Sequence, residues 1–168
     1  AYELVAKQFA DESLAVVGIQ EARPKSSVVN NYLVVNAAAD SAGRYGCQLW
    51  LSLDKPWAGD ARCNYKLKER IVATVVAEAR LLVVRVVCQA AMILFVVAHA
   101  PHINGTVEKV SEHWKEFECK LLAILKPDEQ MVLLIDANAQ LRVEDPRLVK
   151  HADFFRHGLE TLALEPVV

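Results

Sequence analysis

Short apolar runs broken by polar residues set the frame of this chain. From Tyr2 to Phe9, the apolar residues Leu4, Val5 and Phe9 flank Lys7 and Gln8 at the spacing of an amphipathic helix, which Asp11-Glu12-Ser13 ends. Leu14 to Ile19 is an unbroken run with β-branched residues, the pattern of a strand covered on both faces. It closes at Gln20-Glu21, and Pro24 ends the segment. Tyr32 to Ala39 and Gly46 to Leu53 predict two further strands around the turn cluster Asp40-Ser41-Ala42-Gly43. Asp54 to Asn64, holding Pro56 and Gly59, reads as a loop. Ile71 to Ala77, Leu81 to Cys88 and Ile93 to Ala98 are β-rich runs parted by Glu78-Ala79-Arg80 and by a break near Gln89, which predicts an antiparallel meander. After a loop from Pro101 to Gly105, Val107, Val110, Trp114, Phe117, Leu121 and Leu125 recur at helical spacing. Thr106 stands where a cap belongs, and Pro127 ends the helix. Met131 to Ile135 is another buried strand, followed at once by Asp136. Leu148 to Leu162 carries a weaker helical pattern that Gly158 interrupts.

Together these elements predict a mixed α/β chain with a large antiparallel component. Strict strand–helix alternation and a glycine-rich phosphate loop are both missing, which argues against a Rossmann arrangement. Length changes the picture little: 168 residues suit one compact domain with a real core, and the hydrophobic fraction of 54% argues against disorder. Charge changes it more. A formal net charge of −2 gives no general attraction to nucleic acid, so phosphate binding has to come from local charge or a bound cation. The four cysteines, Cys47, Cys63, Cys88 and Cys119, form no Cys-x-x-Cys pair and match no zinc spacing. They read as reduced thiols of an intracellular protein, most of them small buried hydrophobes. Neither a signal peptide nor an uninterrupted membrane-length run is visible, so no membrane partner is expected; an intracellular setting fits, with the nucleus among the compartments left open, as is the oligomeric state. The first residue is not Met, which fits a start other than the native one.

Polar residues cluster at three strand ends. Glu21 follows the first strand, His99 and His102 follow the run ending at Ala98, and Asp136 and Asn138 follow the run ending at Ile135. A buried strand that ends in a carboxylate delivers it to the rim of the sheet, where sites form. In extended chain Asp136 and Asn138, two apart, point the same way. Glu21 and Asp136 are hard oxygen donors of the kind Mg²⁺ or Mn²⁺ takes. Each position also has a structural reading, because acidic residues after strands cap helices or make turns, and Asn138 suits a turn.

Order and local wording add to this. Val17-Gly18-Ile19-Gln20-Glu21, the glycine-led Tyr45-Gly46-Cys47-Gln48-Leu49-Trp50, Val97-Ala98-His99-Ala100-Pro101-His102 and Ile135-Asp136-Ala137-Asn138-Ala139 resemble, in order, four motifs of the endonuclease/exonuclease/phosphatase family. The helix from Thr106 to Leu125 lies between the last two, as in that family. The resemblance covers nearly the whole chain. It implies an α/β (α+β), DNase I-like, four-layered α/β sandwich with mixed, largely antiparallel sheets, as a single partial domain over residues 1–168. It implies Mg²⁺- or Mn²⁺-dependent hydrolysis of a phosphodiester, with nucleic acid as substrate. Glu21 matches the metal-ligand glutamate, Asp136 the aspartate that orients or activates water, and Asn138 the asparagine that positions nucleophile and phosphate. His99 matches a residue that contacts the scissile phosphate, with His102 in a supporting place. Arg44 and Tyr45, in a loop near the expected site, are candidates for substrate contact, a solvated loop being the other and favoured reading.

The chain departs from the family at both ends. It starts in the helix that follows the family's first strand, so the asparagine ending that strand is not in it, and His151, Asp153 and His157 do not form the family's late Ser-Asp-His. The fold is therefore expected to be incomplete at both termini, with sheet edges left open. A degenerate domain serving as a binding or structural module is the alternative function, and a phosphomonoesterase a further one. A zinc site on His99 and His102, and contact of the basic Cys63–Arg70 segment with a nucleic-acid backbone, are weaker readings.

Overall fold

The computed structural model describes residues 2–23, 28–55, 58–60, 63–65, 71–87, 91–101, 106–139 and 149–164. The chain divides into two compact units, Ala1–His99 with Asp128–Ile135, and Ala100–Pro127 with Asp136–Val168.

The first unit opens with helix α1 (Tyr2–Asp11), which carries Tyr2, Val5, Ala6 and Phe9 on one face. Left-handed Ser13 (φ 60°) turns the chain out of the helix, and the Leu14 N–H donates to the Phe9 carbonyl at 2.9 Å. Strands β1 (Val16–Gln20), β2 (Val28–Val29), β3 (Tyr32–Ala37) and β4 (Cys47–Ser52) form an antiparallel sheet in the order β1-β4-β3-β2. A β5 (Ala58–Asp60) and β6 (Cys63–Tyr65) pair stands where the pattern predicts only loop; three-residue strands are too short to register as alternation. β2 is likewise not predicted, although Asn30-Asn31 (φ 42° and 65°) is a two-residue hairpin turn of the type that favours asparagine.

The second sheet has the order β10-β9-β8-β7. β7 (Val72–Glu78), β8 (Leu81–Val87) and β9 (Met92–His99) are the predicted meander, β7 pairing antiparallel with β8 and β8 with β9. β7 carries a register shift between Thr74 and Val76, a bulge that blunts an edge strand. β10 (Glu129–Asp136) completes the sheet. Leu49, Leu51 and Cys47 from the first sheet meet Leu82, Val84, Val86, Phe95 and Val97 from the second in one core. Val83, Leu94 and Val96, outside that core cluster, are also fully buried, so β8 and β9 are covered on both faces, which is why they read as unbroken apolar runs. On the outer side of the first sheet, Trp50 and Tyr32 pack with α1, the Tyr2 ring stacking on Trp50 at 5.8 Å and the Phe9 ring meeting it edge-on at 5.5 Å.

Gly18 allows β1 its place. A β-carbon there would lie 2.7 Å from Leu134 Cβ, and Gln20 Nε2 donates to the Leu134 carbonyl at 3.0 Å. Arg85 of β8 and Glu129 of β10 form a largely buried two-point pair, Nε to Oε1 at 2.5 Å and Nη2 to Oε2 at 3.1 Å, across β9.

The second unit holds α2 (Val107–Ile124) and α3 (Val149–Thr161). Thr106 caps α2 as predicted, its hydroxyl accepting from the Lys109 N–H at 3.4 Å. Val110, Trp114, Phe117 and Leu121 are buried, and the Trp114 ring lies 5.3 Å from that of Phe155 in α3. Gly158 sits inside α3 with no break in the helix, because its missing side chain faces Trp114 and Glu118. Among the described residues no helix is long and apolar enough to cross a membrane. Cys47 is buried, and burial pushes its thiol up to about 11; Cys119 is exposed on α2, and the Cys63 side chain and Cys88 lie outside the described residues.

Candidate functional site

In the first unit, three chain crossings meet where β1 ends. The Ala22 N–H donates to the Gly46 carbonyl at 3.1 Å, and the Gly46 N–H donates to the Ala79 carbonyl at 2.7 Å. Gly46 has φ 96°, and a β-carbon on it would stand 2.2 Å from the Ala22 carbonyl oxygen. Only glycine fits there, which is the physical content of the glycine-led strand noted in the sequence. This junction sets the place of Glu21, itself in the left-handed region at φ 56° with its side chain 65% exposed.

His99, the last residue of β9, is the buried partner of that carboxylate. Its side chain is 1% exposed, and Nε2 lies 4.0 Å from Glu21 Oε1. Tyr45 packs edge-on against the imidazole, ring centres 5.5 Å apart. The Arg80 guanidinium lies over the Tyr45 ring at 3.5 Å from its centre. Arg80 Nη1 also donates to the His99 carbonyl at 3.3 Å, and the His99 N–H donates to the Arg80 carbonyl at 3.0 Å. Glu21, Tyr45, Arg80 and His99 therefore form one neighbourhood. Arg80 is the member the sequence did not single out. It sits in a two-residue turn between apolar runs, and no local signal separates it from an ordinary turn residue.

Arg44 is spread over the surface beside this group. It is 66% exposed, its Nε lies 3.3 Å from Asp40 Oδ2, and its guanidinium carbon is 5.7 Å from the Tyr45 ring centre. The 40–44 turn is bound internally, with Asp40 Oδ1 accepting from the Ala42 N–H at 3.0 Å and the Arg44 N–H at 2.9 Å. The backbone N–H of Arg44, above all, holds the Asp40 carboxyl below its usual range.

In the second unit, Asp136 and Asn138 form a turn rather than the extended pair the sequence implied. Asn138 is left-handed at φ 45°, and its N–H donates to Asp136 Oδ1 at 3.1 Å. A short carboxylate bonds a backbone N–H two residues on more readily than it stays extended, so the turn reading of Asn138 holds. The Asn138 amide donates to the Ala100 carbonyl at 2.8 Å, and the Ala100 N–H donates to the Asp136 carbonyl at 2.9 Å. Both side chains are thereby fixed at the end of β10. Asp153 pairs with Arg156 within α3. His102 lies outside the described residues, as do the side chains of Cys63 and His151 and most of the Cys63–Arg70 segment.

Glu21 and Asp136 offer exposed hard oxygens, chemistry that suits Mg²⁺ or Mn²⁺ over thiol-seeking metals. Among the described residues there is no group of three or more His, Cys, Asp or Glu side chains placed to hold an ion. Taken by itself, the Glu21 carboxylate fits an ion that keeps a single protein carboxylate and completes its shell with water and substrate phosphate, as Mg²⁺ does.

Neither a protein-family profile nor a curated protein sequence matches the chain. Solved structures do. The endonuclease domain of TRAS1, a telomere-specific non-LTR retrotransposon, aligns with a TM-score of 0.58 and 19% identity over 98% of this chain and 67% of that one. The AP endonuclease LMAP from Leishmania major aligns with a TM-score of 0.60 and 10% identity over 95% of this chain and 61% of that one. D. rerio TDP2 complexed with single strand DNA product aligns with a TM-score of 0.55 and 14% identity over 88% of this chain and 55% of that one. The fold is thus α/β and DNase I-like, shared with structures of the endonuclease/exonuclease/phosphatase kind. The chain spans 55% to 67% of the length of these neighbours.

Proposed function

We propose, from the DNase I-like fold shared with these endonucleases, that the chain is the central part of a metal-dependent phosphodiester hydrolase acting on nucleic acid. The observation that carries the reading is the strand-end pair of an exposed Glu21 carboxylate and a buried His99 imidazole 4.0 Å away, in a chain whose neighbours are nucleic-acid endonucleases. The assignment as one partial domain over residues 1–168 belongs to the same reading.

Glu21 would hold the divalent ion, Mg²⁺ or Mn²⁺, which would offset phosphate charge and lower the pKa of bound water. Asp136 orients the attacking water and draws its proton as the oxygen closes on phosphorus in line with the leaving oxygen, whose bond to phosphorus breaks and which takes a proton from solvent. Asn138, its plane fixed by the Ala100 carbonyl, positions nucleophile and phosphate. His99, 4.0 Å from the Glu21 carboxylate, orients it and, when protonated, stabilises charge that develops on the phosphate. Arg44 and His102 take the supporting roles.

The test uses the full-length protein with supercoiled plasmid, a 5′-labelled oligonucleotide, and nucleotide and sugar phosphates. Cleavage of the polynucleotides with Mg²⁺, its loss in chelator, and calorimetric loss of metal binding in Glu21→Gln support the reading. A protein that binds no Mg²⁺ or Mn²⁺ sinks it. Turnover of the monophosphates alone favours a phosphomonoesterase, and oligonucleotide binding without cleavage favours a non-catalytic binding module.

A further inference from the structure

We infer that Arg80 and Tyr45 are positioning residues that fix the His99 imidazole and, through it, the Glu21 carboxylate. The inference rests on the reading of Glu21 as the metal-binding group. Three observations carry it, all within the first unit.

The first is that Arg80 grips His99 twice. Its carbonyl accepts from the His99 N–H at 3.0 Å, and its Nη1 donates to the His99 carbonyl at 3.3 Å. The regular pairing of β8 with β9 ends one residue earlier, at Leu81 opposite Ala98. The side chain thus extends the hold of the ladder to the residue that bears the imidazole.

The second is the continuity of the stack. Guanidinium, phenol and imidazole follow one another, with Arg80 3.5 Å over the centre of the Tyr45 ring and that ring inclined 63° to the imidazole. A planar guanidinium covers an aromatic face in a way that a lysine ammonium does not. An edge-on aromatic contact restricts the imidazole to a narrow range of ring angles.

The third is the backbone that presents Tyr45. Its φ is 64°, a region bulky residues seldom occupy, and Gly46 follows at 96°. Strained geometry of this kind persists where the surroundings over-determine it, and it concentrates at functional positions. Here the surroundings are the Asp40 turn on one side and the hydrogen bond from Gly46 to Ala79 on the other. An aromatic held at that cost is aimed at His99. Glu21 is exposed and has many conformers open to it, and the imidazole Nε2 at 4.0 Å is what narrows them.

The test measures the His99 ring and the metal separately, in the full-length protein. The His99 imidazole resonances, shifted by the Tyr45 ring current, report ring placement by NMR. Mn²⁺ titration, followed by calorimetry and by paramagnetic broadening at residue 21, reports the carboxylate. Arg80→Met, which leaves the Tyr45 ring in the protein, is expected to move the His99 resonances. Tyr45→Leu removes the ring current itself and is read by Mn²⁺ alone. Both variants are expected to weaken Mn²⁺ binding on the order of tenfold, the range seen for groups that orient a metal ligand. Tyr45→Phe is expected to keep both the resonances and the affinity. Arg80→Lys keeps the charge but loses the planar stack, so it is expected to resemble Arg80→Met, and it serves as the test if Arg80→Met does not fold. Unmoved His99 resonances in Arg80→Lys, or unchanged Mn²⁺ affinity in Tyr45→Leu and Arg80→Lys, overturns the inference. If the unmutated protein binds no Mn²⁺, the metal reading of Glu21 fails, and the His99 resonances of Arg80→Lys alone decide whether Arg80, through the Tyr45 ring, positions the imidazole.

Discussion

Gly46 and Ala22 approach so closely that a β-carbon on Gly46 would lie 2.2 Å from the Ala22 carbonyl oxygen. Because that oxygen belongs to backbone, no rotamer change relieves the clash, and φ 96° is itself closed to alanine. Gly46→Ala is expected to cost roughly 3 kcal/mol or more, the scale of strained and overpacked positions. Urea denaturation of the purified variant measures it, and a loss under about 1 kcal/mol, within the ordinary range for point changes, argues against the close approach.

Gly158 is the opposite case. A β-carbon there meets Glu118 Oε1 at 3.2 Å and Trp114 Cε3 at 3.5 Å, the first being the end of a flexible side chain. Its helical setting favours alanine by up to about 1 kcal/mol. Gly158→Ala is expected to leave the melting temperature unchanged or raise it by a few degrees. A clear fall shows that Glu118 has no room to yield.

The Arg85–Glu129 pair joins β8 to β10 with the Glu129 side chain 0% exposed. Hydrogen bonding to Glu129 raises the Arg85 pKa. Arg85→Met strands the carboxylate without its cation and is expected to destabilise by about 3 kcal/mol. Adding Glu129→Leu removes the stranded charge and is expected to recover part of that loss. Chemical denaturation of the single and double variants checks this, and equal stability of the two removes the argument.

Asn138 combines a left-handed backbone with a bond from its amide to Ala100, and these separate by substitution. Asn138→Gly keeps the turn and loses the side chain, so stability is expected to change by less than about 1 kcal/mol. If the side chain positions phosphate, cleavage by the full-length protein is expected to fall on the order of a hundredfold in this variant and in Asp136→Ala. Retained cleavage in either variant removes that residue from the proposed mechanism.

Asp40 gives a pH signature. Its carboxyl is held below its ordinary value, first by the Arg44 backbone N–H. A carboxyl lowered in the folded state contributes stability that is present above its unfolded pKa and lost as pH falls through the folded one. The 40–46 turn is therefore expected to stay ordered through the usual aspartate range and to loosen only in stronger acid. The Ala42 and Arg44 amide resonances report this. Loosening already in the usual aspartate range contradicts it, and Asp40→Ala should show the loosened state at neutral pH.

Much of this protein was fixed by periodicity alone. The helix at Val107–Ile124, its Thr106 cap and the three-strand meander follow from spacing, because burial on one face or both writes a regular pattern into a sequence. The strand ends carrying Glu21, His99 and Asp136 were visible for the same reason. What tertiary structure decided is what depends on residues distant along the chain. Arg80 looks like any turn residue until β8 and β9 pair and bring it against His99 and Tyr45. The turn at Asn138 was legible, but the bond from its side-chain amide was hidden because the acceptor is a carbonyl 38 residues away. Periodicity reads the solvent and the core; it carries no information on which polar groups the folded backbone brings within hydrogen-bonding reach of one another.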